Sequence, residues 1–538
     1  MIEYKLAIGN KKVISDEIHL HLHPDIALIN RKLGAYASQL NDQKLSKEQK
    51  IEMIAHNKDI SQAAGSIGIG DFIRYWYIAG DDELNECVDA MRKSFLKFES
   101  TSIAERIKCL NSIGNELRNN SGFWRQLAQW ECHNAVTFDI EQKIVEEEFD
   151  MDSIKIKADM IERSATKNKG TFASEYILKK RPIGTVLVTL PPNAGYTMLN
   201  NVFIDLFLAG IPMIIKAPRK SAVVPYELAN LYLKKIEEFG LPKSICMITG
   251  DSKEIIEKLI ANENIKGLIF IGGDNTGNKI LQRYSSLKKP IVLEMNGSNI
   301  VAYLDDVSKE DFINDINFSI RDRIFGASGQ FCLSPKRLLM PDRFIEAALE
   351  AANKICDESK PGLMSAESTN LVPVSDIEAV IKQLKDYSNE PNVEVIRLGK
   401  RVDINGNEDK EGEFLTPSII LVKDPLNSSI FMREEILGPV IQIGICADLN
   451  KAIEIVNKSR YNIRASFHTK DNSSIRLIMA KCRSGGIFFN LRHLRGWGGI
   501  AVGGTGDSCE SDVGPRFFYD NFLDKHYSFY AKKTGKNG

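Results

Sequence analysis

The chain has 538 residues, 43% of them hydrophobic and 26% charged, an ordinary globular composition with room for two to four domains of roughly 150 residues. Seventy lysines and arginines face 71 aspartates and glutamates, so the chain is neither of disordered type nor surrounded by a basic field that would favour nucleic acid as a partner.

The beginning does not read as a signal peptide, because Lys5, Lys11, Lys12 and Asp16 interrupt any apolar core. Met1 to Pro24 predicts one or two short strands, Asp25 to Gln62 has helical character, and Gly65, Gly68 and Gly70 punctuate the chain. His19, His21 and His23 alternate, so on a strand they share one face as metal ligands can. No fourth ligand accompanies them, and no metal is assigned. Residues 1–75 stand as an N-terminal extension without an assigned role. Over residues 81–150, Val88, Met91 and Phe95, then Ile107, Leu110, Ile113 and Leu117, recur at helical spacing. Ser102 three residues before Glu105 predicts a capping box.

From residue 182 the pattern becomes strand and helix in alternation. Apolar runs at Thr185–Leu190, Pro212–Lys216, Ser244–Thr249, Gly267–Ile271 and Pro290–Glu294 predict strands. Helical stretches lie between them at Thr197–Leu208, Ala222–Glu238, Lys253–Ala261 and Thr276–Leu287. Such units predict a parallel sheet of Rossmann type, whose ligands sit beyond the carboxyl ends of the strands. The most apolar stretch, Val202 to Ile215, contains Asp205 and Pro212 and is too short to span a bilayer. A second alternating region, about 296 to 470, predicts a second α/β domain. The segments Asp152–Tyr176 and Gly503–Tyr530 break the rhythm and could pair as strands outside both. The lysine- and glycine-rich end, Ala531–Gly538, reads as a frayed tail. Nine cysteines at scattered positions, with no C-x-x-C pair, fit a reducing compartment, taken as the cytoplasm, and neither a disulfide framework nor a cysteine zinc site.

The predicted strand ends carry the chemistry. Thr185–Leu190 runs into Pro191-Pro192-Asn193-Ala194-Gly195, where two prolines hold Asn193 in a rigid turn. Its amide can donate a hydrogen bond to a substrate, or it can serve only as a turn or cap. Lys216-Ala217-Pro218-Arg219 puts cations where an anionic group would lie, unless they are simply solvated. Phe270 to Gly277 is a glycine-containing strand-to-helix turn whose amides can approach a pyrophosphate. Glu294, in Glu294-Met295-Asn296-Gly297, can be a general base or a strand-end charge facing water. The sharpest feature is Gly326-Ala327-Ser328-Gly329-Gln330-Phe331-Cys332, small residues crowding the chain before a thiol. Arg321, Arg323, Lys336 and Arg337 would favour thiolate wherever one lies close in space. A thiol with a carboxylate, and no convincing histidine partner, suits covalent capture of a carbonyl followed by transfer of its hydrogen to a cofactor.

These residues make the chain resemble the aldehyde dehydrogenase superfamily over about residues 80 to 530. Gly329-Gln330-Phe331-Cys332 matches its G-Q-x-C motif, and Glu294-Met295-Asn296-Gly297 resembles E-L-G-G. Pro191-Pro192-Asn193 resembles the proline-and-asparagine turn, and Phe270–Gly277 the F-T-G-S-x-x-x-G turn. Glu434 to Val440 resembles E-E-I-F-G-P-V. The resemblance implies a Rossmann-type cofactor domain over 76–153 and 180–295, a catalytic domain over 296–486, and oligomerisation segments at 154–179 and 503–530. It implies NAD(P)-dependent oxidation of an aldehyde to a carboxylic acid through a thiohemiacetal and thioester on Cys332. Asn193 and the Cys332 N–H would form the oxyanion hole, and Glu294 would activate water. Lys216 would contact the adenosine ribose, Gly273 and Gly277 would form the cofactor turn, and Glu435 would hold the nicotinamide ribose. The partners implied are a small-molecule aldehyde and further copies of the chain, as homodimer or homotetramer, with neither nucleic acid nor membrane.

The departures are informative. Arg219 stands where NAD-preferring relatives place a glutamate, which favours NADP while leaving NAD open. Gly273 replaces a serine and loses a cap hydroxyl worth about 1 kcal/mol. Leu437 replaces the aromatic beside the nicotinamide, and Asn462 and Arg464 stand in Tyr461–Ala465 where relatives carry Y-G-L-A/S. The segment Asn490–Arg495, with Arg321 and Arg323, hints at an anionic group on the aldehyde. Two rival readings keep the fold: an acyl-thioester-forming or acyl-CoA-reducing enzyme, and a non-catalytic scaffold.

Overall fold

The computed structural model describes residues 2–8, 11–15, 17–162, 167–169, 174–491, 499, 501–510 and 516–531. The five apolar runs form the strands Thr185–Thr189, Met213–Lys216, Ile245–Ile248, Ile265–Ile271 and Ile291–Glu294. All pair in parallel, with Thr185–Thr189 at the centre, flanked by Ile265–Ile271 on one side and Met213–Lys216 on the other. Strand order therefore reverses beside Thr189, and the Asn193 and Gly273 turns open on that reversal, where doubly wound sheets bind ligands. Alternation of side chains sorts the two faces. Val186 and Val188 pack with the helices Gly195–Ala209 and Val223–Glu238. Leu187 packs with Ser252–Ala261, Asp274–Tyr284 and Asp81–Phe98. The helix Ile103–Asn119 opens with the expected Ser102/Glu105 capping box.

The N-terminal stretch holds four short strands, more than its sequence suggested. Leu6–Ile8 adds antiparallel to Ile245–Ile248, and Lys11–Val13 pairs outside it. The cofactor-type sheet thus has seven strands, and what would have been an edge is covered by the chain's own beginning. Ile2–Tyr4 and Ile18–Leu22 flank Ile73–Tyr77 in a separate three-stranded sheet. Between Leu22 and Ile73 lie four helices, Pro24–Ile29, Arg31–Asp42, Lys47–Ala55 and Lys58–Ser66. Asp25 at the first of these is fully buried and accepts hydrogen bonds from Met364 N (2.6 Å), Ser365 N (3.1 Å) and Ser365 Oγ (2.6 Å). Arg31 pairs with Asp409. The beginning of the chain is therefore strapped to the second α/β body as well as to the first. His19, His21 and His23 lie in an aromatic stack with Trp76 and Trp130. Burial holds all three imidazoles well below their ordinary range, His19 at about 3.

The second body is a seven-stranded sheet in the order Val393–Arg397, Ser418–Val422, Val440–Ile445, Pro335–Met340, Asn299–Tyr303, Arg464–His468 and Gly486–Phe489. Only the Val393–Arg397 pairing is antiparallel. A further three-stranded sheet joins Lys167–Lys169, Ser174–Pro182 and Leu523–Ala531, with Leu523 opposite Pro182 and Ala531 opposite Ser174. The two out-of-rhythm segments do pair, but the first is not all strand. Met151–Glu162 is a helix, because Ser153, Ile154, Lys157 and Ala158 repeat at helical spacing and are buried. Lys157 Nζ lies 2.8 Å from both Glu148 and Asp205. Asp205, the charge inside the apolar stretch, is thus neutralised in place. Among the described residues no helix is long and apolar enough to cross a membrane. The tail 532–538 lies outside the described residues.

Candidate active site

The helix Lys309–Phe325 ends at Gly326, and the next three residues are left-handed: Ala327 (φ 50°), Ser328 (φ 49°) and Gly329 (φ 74°). Two non-glycine residues in that region cost about 1–2 kcal/mol each, so the turn must be held from outside. Ser328 Oγ donates to Val372 O (3.0 Å) and accepts from Val372 N (2.8 Å). Gln330 Nε2 donates to Ala327 O and Pro373 O, both at 2.9 Å, while its Oε1 accepts from Ser375 N at 2.8 Å. A Cβ on Gly329 would sit 2.4 Å from Gly438 O, so glycine is required there. The turn delivers Cys332, whose carbonyl accepts from Asn299 Nδ2 at 2.8 Å. Cys332 and Cys132 alone among the nine thiols keep partial exposure; the other seven are buried. Burial pushes the Cys332 thiol up to about 11, Glu435 and Glu294 add to this, and Lys336 opposes it.

Asn193 leaves the central strand and donates from Nδ2 to Gln330 O at 2.7 Å. That contact uses one of two N–H bonds on the amide and fixes the direction of the other. Behind the turn, buried His133 bonds the Asn193 backbone, packs edge-on against Phe331 and meets Glu141 at 2.6 Å. This support was not visible in the sequence, since His133 is 60 residues from Asn193 and belongs to no motif. Glu294 ends its strand half-buried, and burial raises its carboxyl to about 7 against the pull of Arg464 and Arg516. Gly297, three residues on, lies so close to the nucleophile segment that a Cβ would be 2.4 Å from Cys332 O. Ser508 fastens this stretch, its carbonyl accepting from Met295 N (3.0 Å) and its hydroxyl donating to Asn296 O (2.7 Å).

On the cofactor side, Lys216 is buried beside Ser252 Oγ, and desolvation draws its ammonium down to about 8. Arg219 lies exposed three residues later. Gly273 is the N-cap of Asp274–Tyr284 and gives no side-chain cap. Asn296 closes the helix start from outside, its Oδ1 accepting from Asp274 N at 2.8 Å, the first helical N–H, which an N-cap hydroxyl would not take. A Cβ on Gly277 would meet Met295 Sδ at 2.4 Å, so glycine lets helix and strand close together there. Glu435 is buried and ion-paired with Lys336, which lies wholly out of water. Leu437 is 39% exposed. Lys216, Gly273 and Gly277 thus stand at the carboxyl ends of the parallel strands, while Glu435 and Lys336 stand around the thiol.

Several expectations need correction. Of the four cations proposed to favour thiolate, Lys336 is the one that acts on Cys332. Arg323 is buried and spends its guanidinium on Val440 O (2.9 Å), Ile436 O (2.8 Å) and Gly329 O. Arg337 is likewise buried, against Phe431 O, Ser459 Oγ and Ser298 O. Arg321 pairs with Glu358 at the surface. Arg323 therefore cannot greet a substrate anion either. Asn462 is a clamp, its Nδ2 donating to Val456 O (2.7 Å) and Arg483 O (2.6 Å). In the segment Asn490–Arg495, residues 492–495 lie outside the described residues; Asn490 bonds Thr469 through both its amide atoms.

Comparison with known proteins agrees with this architecture. The model of the aldehyde dehydrogenase family matches residues 69–526. A 1-pyrroline-5-carboxylate dehydrogenase of Bacillus pumilus is 23% identical over 449 residues, covering 79% of this chain and 82% of the relative. The crystal structure of aldehyde dehydrogenase 21 from Physcomitrella patens, in complex with the reaction product succinate, superposes with a TM-score of 0.76 at 19% identity, covering 99% of each chain. An E. coli NADP-dependent enzyme superposes with a TM-score of 0.77 at 17% identity, covering 98% of each. With the family model spanning both sheets and the thiol segment between them, the chain belongs to the aldehyde dehydrogenase family, oxidoreductases that act on aldehydes with NAD(P).

Proposed function

We propose that the protein oxidises an aldehyde to its carboxylic acid with Cys332 as the nucleophile. The observation that supports this most is the meeting, at the sheet's reversal, of a partly exposed thiol, the Asn193 amide and the half-buried Glu294. The thiolate bonds to the aldehyde carbon, and the oxygen becomes an oxyanion within reach of the Asn193 amide and the Cys332 N–H. The dinucleotide, when bound, is the oxidant that takes the carbon's hydrogen with its electron pair. This leaves a thioester on Cys332. Glu294 then takes a proton from water, the oxygen adds to the thioester, and the acid departs as the sulfur regains its electron pair.

The residues present fit a dinucleotide. Lys216 and Ser252, which bond each other, would meet an adenosine ribose, and Gly273, where a Cβ would have nothing nearer than Asn296 Oδ1 at 4.0 Å, leaves an open helix start for a phosphate, while Gly277 lets the helix close on Met295. Arg219 supports NADP as the preferred form, because a guanidinium pairs with a 2′-phosphate. An anionic aldehyde is the choice that the relatives support rather than the cavity of about 550 Å³ between Ala135–Glu148 and Lys309–Phe325, whose cations Lys143 and Arg321 are matched by Glu147 and Asp322. The carboxylates in the names of the two relatives above are consistent with that choice. Assembly through the three-stranded sheet, whose nine-residue strand Leu523–Ala531 ends the sheet order, is proposed for a homodimer or homotetramer.

The test is a panel of neutral and ω-carboxylate aldehydes with NAD and NADP, with and without coenzyme A, alongside Cys332→Ala. Acid formation without coenzyme A in wild type, and none in the variant, is expected. A product formed only with coenzyme A would favour the thioester-forming reading, and turnover in the variant would remove Cys332 from the chemistry.

A further inference from the structure

Arg464 opens a strand of the second sheet, where Ala465 lies opposite Ile300. It is 4% exposed. Its guanidinium donates to backbone carbonyls: Nη1 to Ile463 O (3.2 Å) and Gly503 O (3.3 Å), and Nη2 to Ala501 O (3.1 Å). Carbonyls satisfy its N–H groups but carry no formal charge, so a full positive charge remains to act on whatever acid is nearest. Room for it is built in, since a Cβ on Gly486 would fall 2.7 Å from Arg464 Cδ and 3.1 Å from Nε.

Two contacts tie the backbone of Arg464 to the segment that carries the nucleophile. The Arg464 N–H donates to Asn299 Oδ1 at 3.0 Å, and the same Asn299 donates from Nδ2 to Cys332 O at 2.8 Å. One side chain amide thus fixes the nucleophile and the start of Arg464 together. The Ile463 side chain and Cys332 O both crowd Gly297, at 2.8 and 2.4 Å from where its Cβ would be, three residues after Glu294. The acids that Arg464 faces are Glu294 and Cys332. Glu294 faces Arg464 and Arg516, and Arg516 is already paired with Glu510, which accepts from Leu293 N at 2.9 Å. Around Cys332 stand Glu435, Lys336 and Glu294.

We propose that Arg464 is a positioning residue of the active site, whose buried cation keeps Glu294 a carboxylate able to accept a proton from water and steadies Cys332 as thiolate. The proposal rests on the roles given to Glu294 and Cys332 above. Burial alone would leave a carboxyl at this strand end protonated near neutral pH, and Arg464 opposes that. It also accounts for a large charged residue where the family pattern has a small one.

The test avoids both aldehyde and cofactor. Wild type, Arg464→Met, Arg464→Lys, Gly486→Ala and Glu294→Gln are assayed for steady-state hydrolysis of p-nitrophenyl acetate from pH 5.5 to 9.5. Cys332 alkylation by iodoacetamide is followed in parallel. In wild type the deacylation limb should be abolished by Glu294→Gln. Arg464→Met should move that limb up by about one pH unit, and slow alkylation below pH 9 severalfold, with Arg464→Lys recovering most of both. Gly486→Ala, which displaces the guanidinium but keeps its charge, should move the limb the same way by less, and it stands in if Arg464→Met does not fold. A limb removed by Glu294→Gln but unmoved in folded Arg464→Met, or in Gly486→Ala when that variant stands in, overturns the proposal alone. A limb that survives Glu294→Gln overturns it together with the role of Glu294.

Discussion

Lys336 and Glu435 form an ion pair with both side chains out of water, and Cys332 lies in the field of each. The carboxylate expected to receive the nicotinamide ribose is therefore already neutralised from behind, and the cation four residues past the thiol reaches it through space. Desolvation draws the Lys336 ammonium down to about 8, so the pair exists only because each partner holds the other charged.

Lys336→Met should leave Glu435 charged and unpaired. Breaking a buried pair from one side costs about 3–5 kcal/mol, so the variant should unfold at markedly lower urea concentration. The thiol should also lose its opposing cation and react with iodoacetamide about tenfold more slowly at pH 8. A double variant, Lys336→Met with Glu435→Leu, should recover stability, since both charges are then gone. If Lys336→Met alkylates at the wild-type rate, the cation does not act on the sulfur.

Glu294 sets a pH dependence of definite sign. Burial raises its carboxyl from 4.5 to about 7, so the base is protonated and idle on the acid side of 7. Turnover limited by deacylation should fall tenfold per unit below that point. The same shift acts on stability in the other direction. The folded state holds this proton more tightly than the unfolded one, so the contribution is full below 4.5 and is lost as pH rises through 7. Glu294→Gln has no proton to lose, and its Tm should match wild type near pH 4.5 and exceed it at pH 8. In single turnovers it should release one equivalent of reduced cofactor and stall. Unchanged steady-state turnover in Glu294→Gln would remove it from the deacylating step.

What the sequence made legible follows from the length scale of each signal. The five strands of the parallel sheet are found within two residues of their expected ends, because runs such as Ile245–Ile248 are apolar on both faces and cannot lie elsewhere. The local motifs around Cys332, Glu294 and Asn193 are likewise short-range and meet as expected. Arg323 and Arg337 could not be assigned from sequence, since a buried arginine bonded to carbonyls reads the same as an exposed one. His133 behind Asn193, Arg464 tied to Asn299 and Asp25 strapped to Met364 are long-range pairings, fixed by the packing of whole layers. The helix Met151–Glu162 was legible in its spacing but was masked by the polar residues around it.

Arg219 gives a prediction about cofactor choice. It is exposed beyond the end of Met213–Lys216, three residues after Lys216; under the proposed function a guanidinium there would pair with a 2′-phosphate, whereas a glutamate would repel one. Arg219→Glu should lower kcat/KM for NADP by about tenfold or more and raise the NAD to NADP ratio accordingly. Since the side chain is on the surface, Tm should not change. A ratio of kcat/KM that stays fixed would mean that the 2′ position is read by another group.

Asn296 closes the helix start at Gly273 from outside the helix. The helix Asp274–Tyr284 starts at a glycine without a cap, and Asn296, reaching from the loop after Glu294, accepts the Asp274 N–H instead. The cap thereby ties the cofactor turn to the segment that carries the proposed base. Asp274 extends the tie, its Oδ2 accepting from Arg460 Nη2 (2.9 Å) and the Tyr461 hydroxyl (2.6 Å). Asn296→Gly should cost about 1 kcal/mol of stability and raise KM for the cofactor, because the helix start loosens where a phosphate would rest. Gly273→Ser alone should be nearly neutral: φ −73° and ψ 146° suit serine, and a Cβ there would stand 4.0 Å from Asn296 Oδ1. In the Asn296→Gly background the same Ser should restore little, since an N-cap hydroxyl takes the second or third helical N–H and leaves that of Asp274 unpaired. A double-mutant cycle in urea should therefore be additive. Recovery by Gly273→Ser of the losses in Asn296→Gly would mean that the two side chains serve the same N–H.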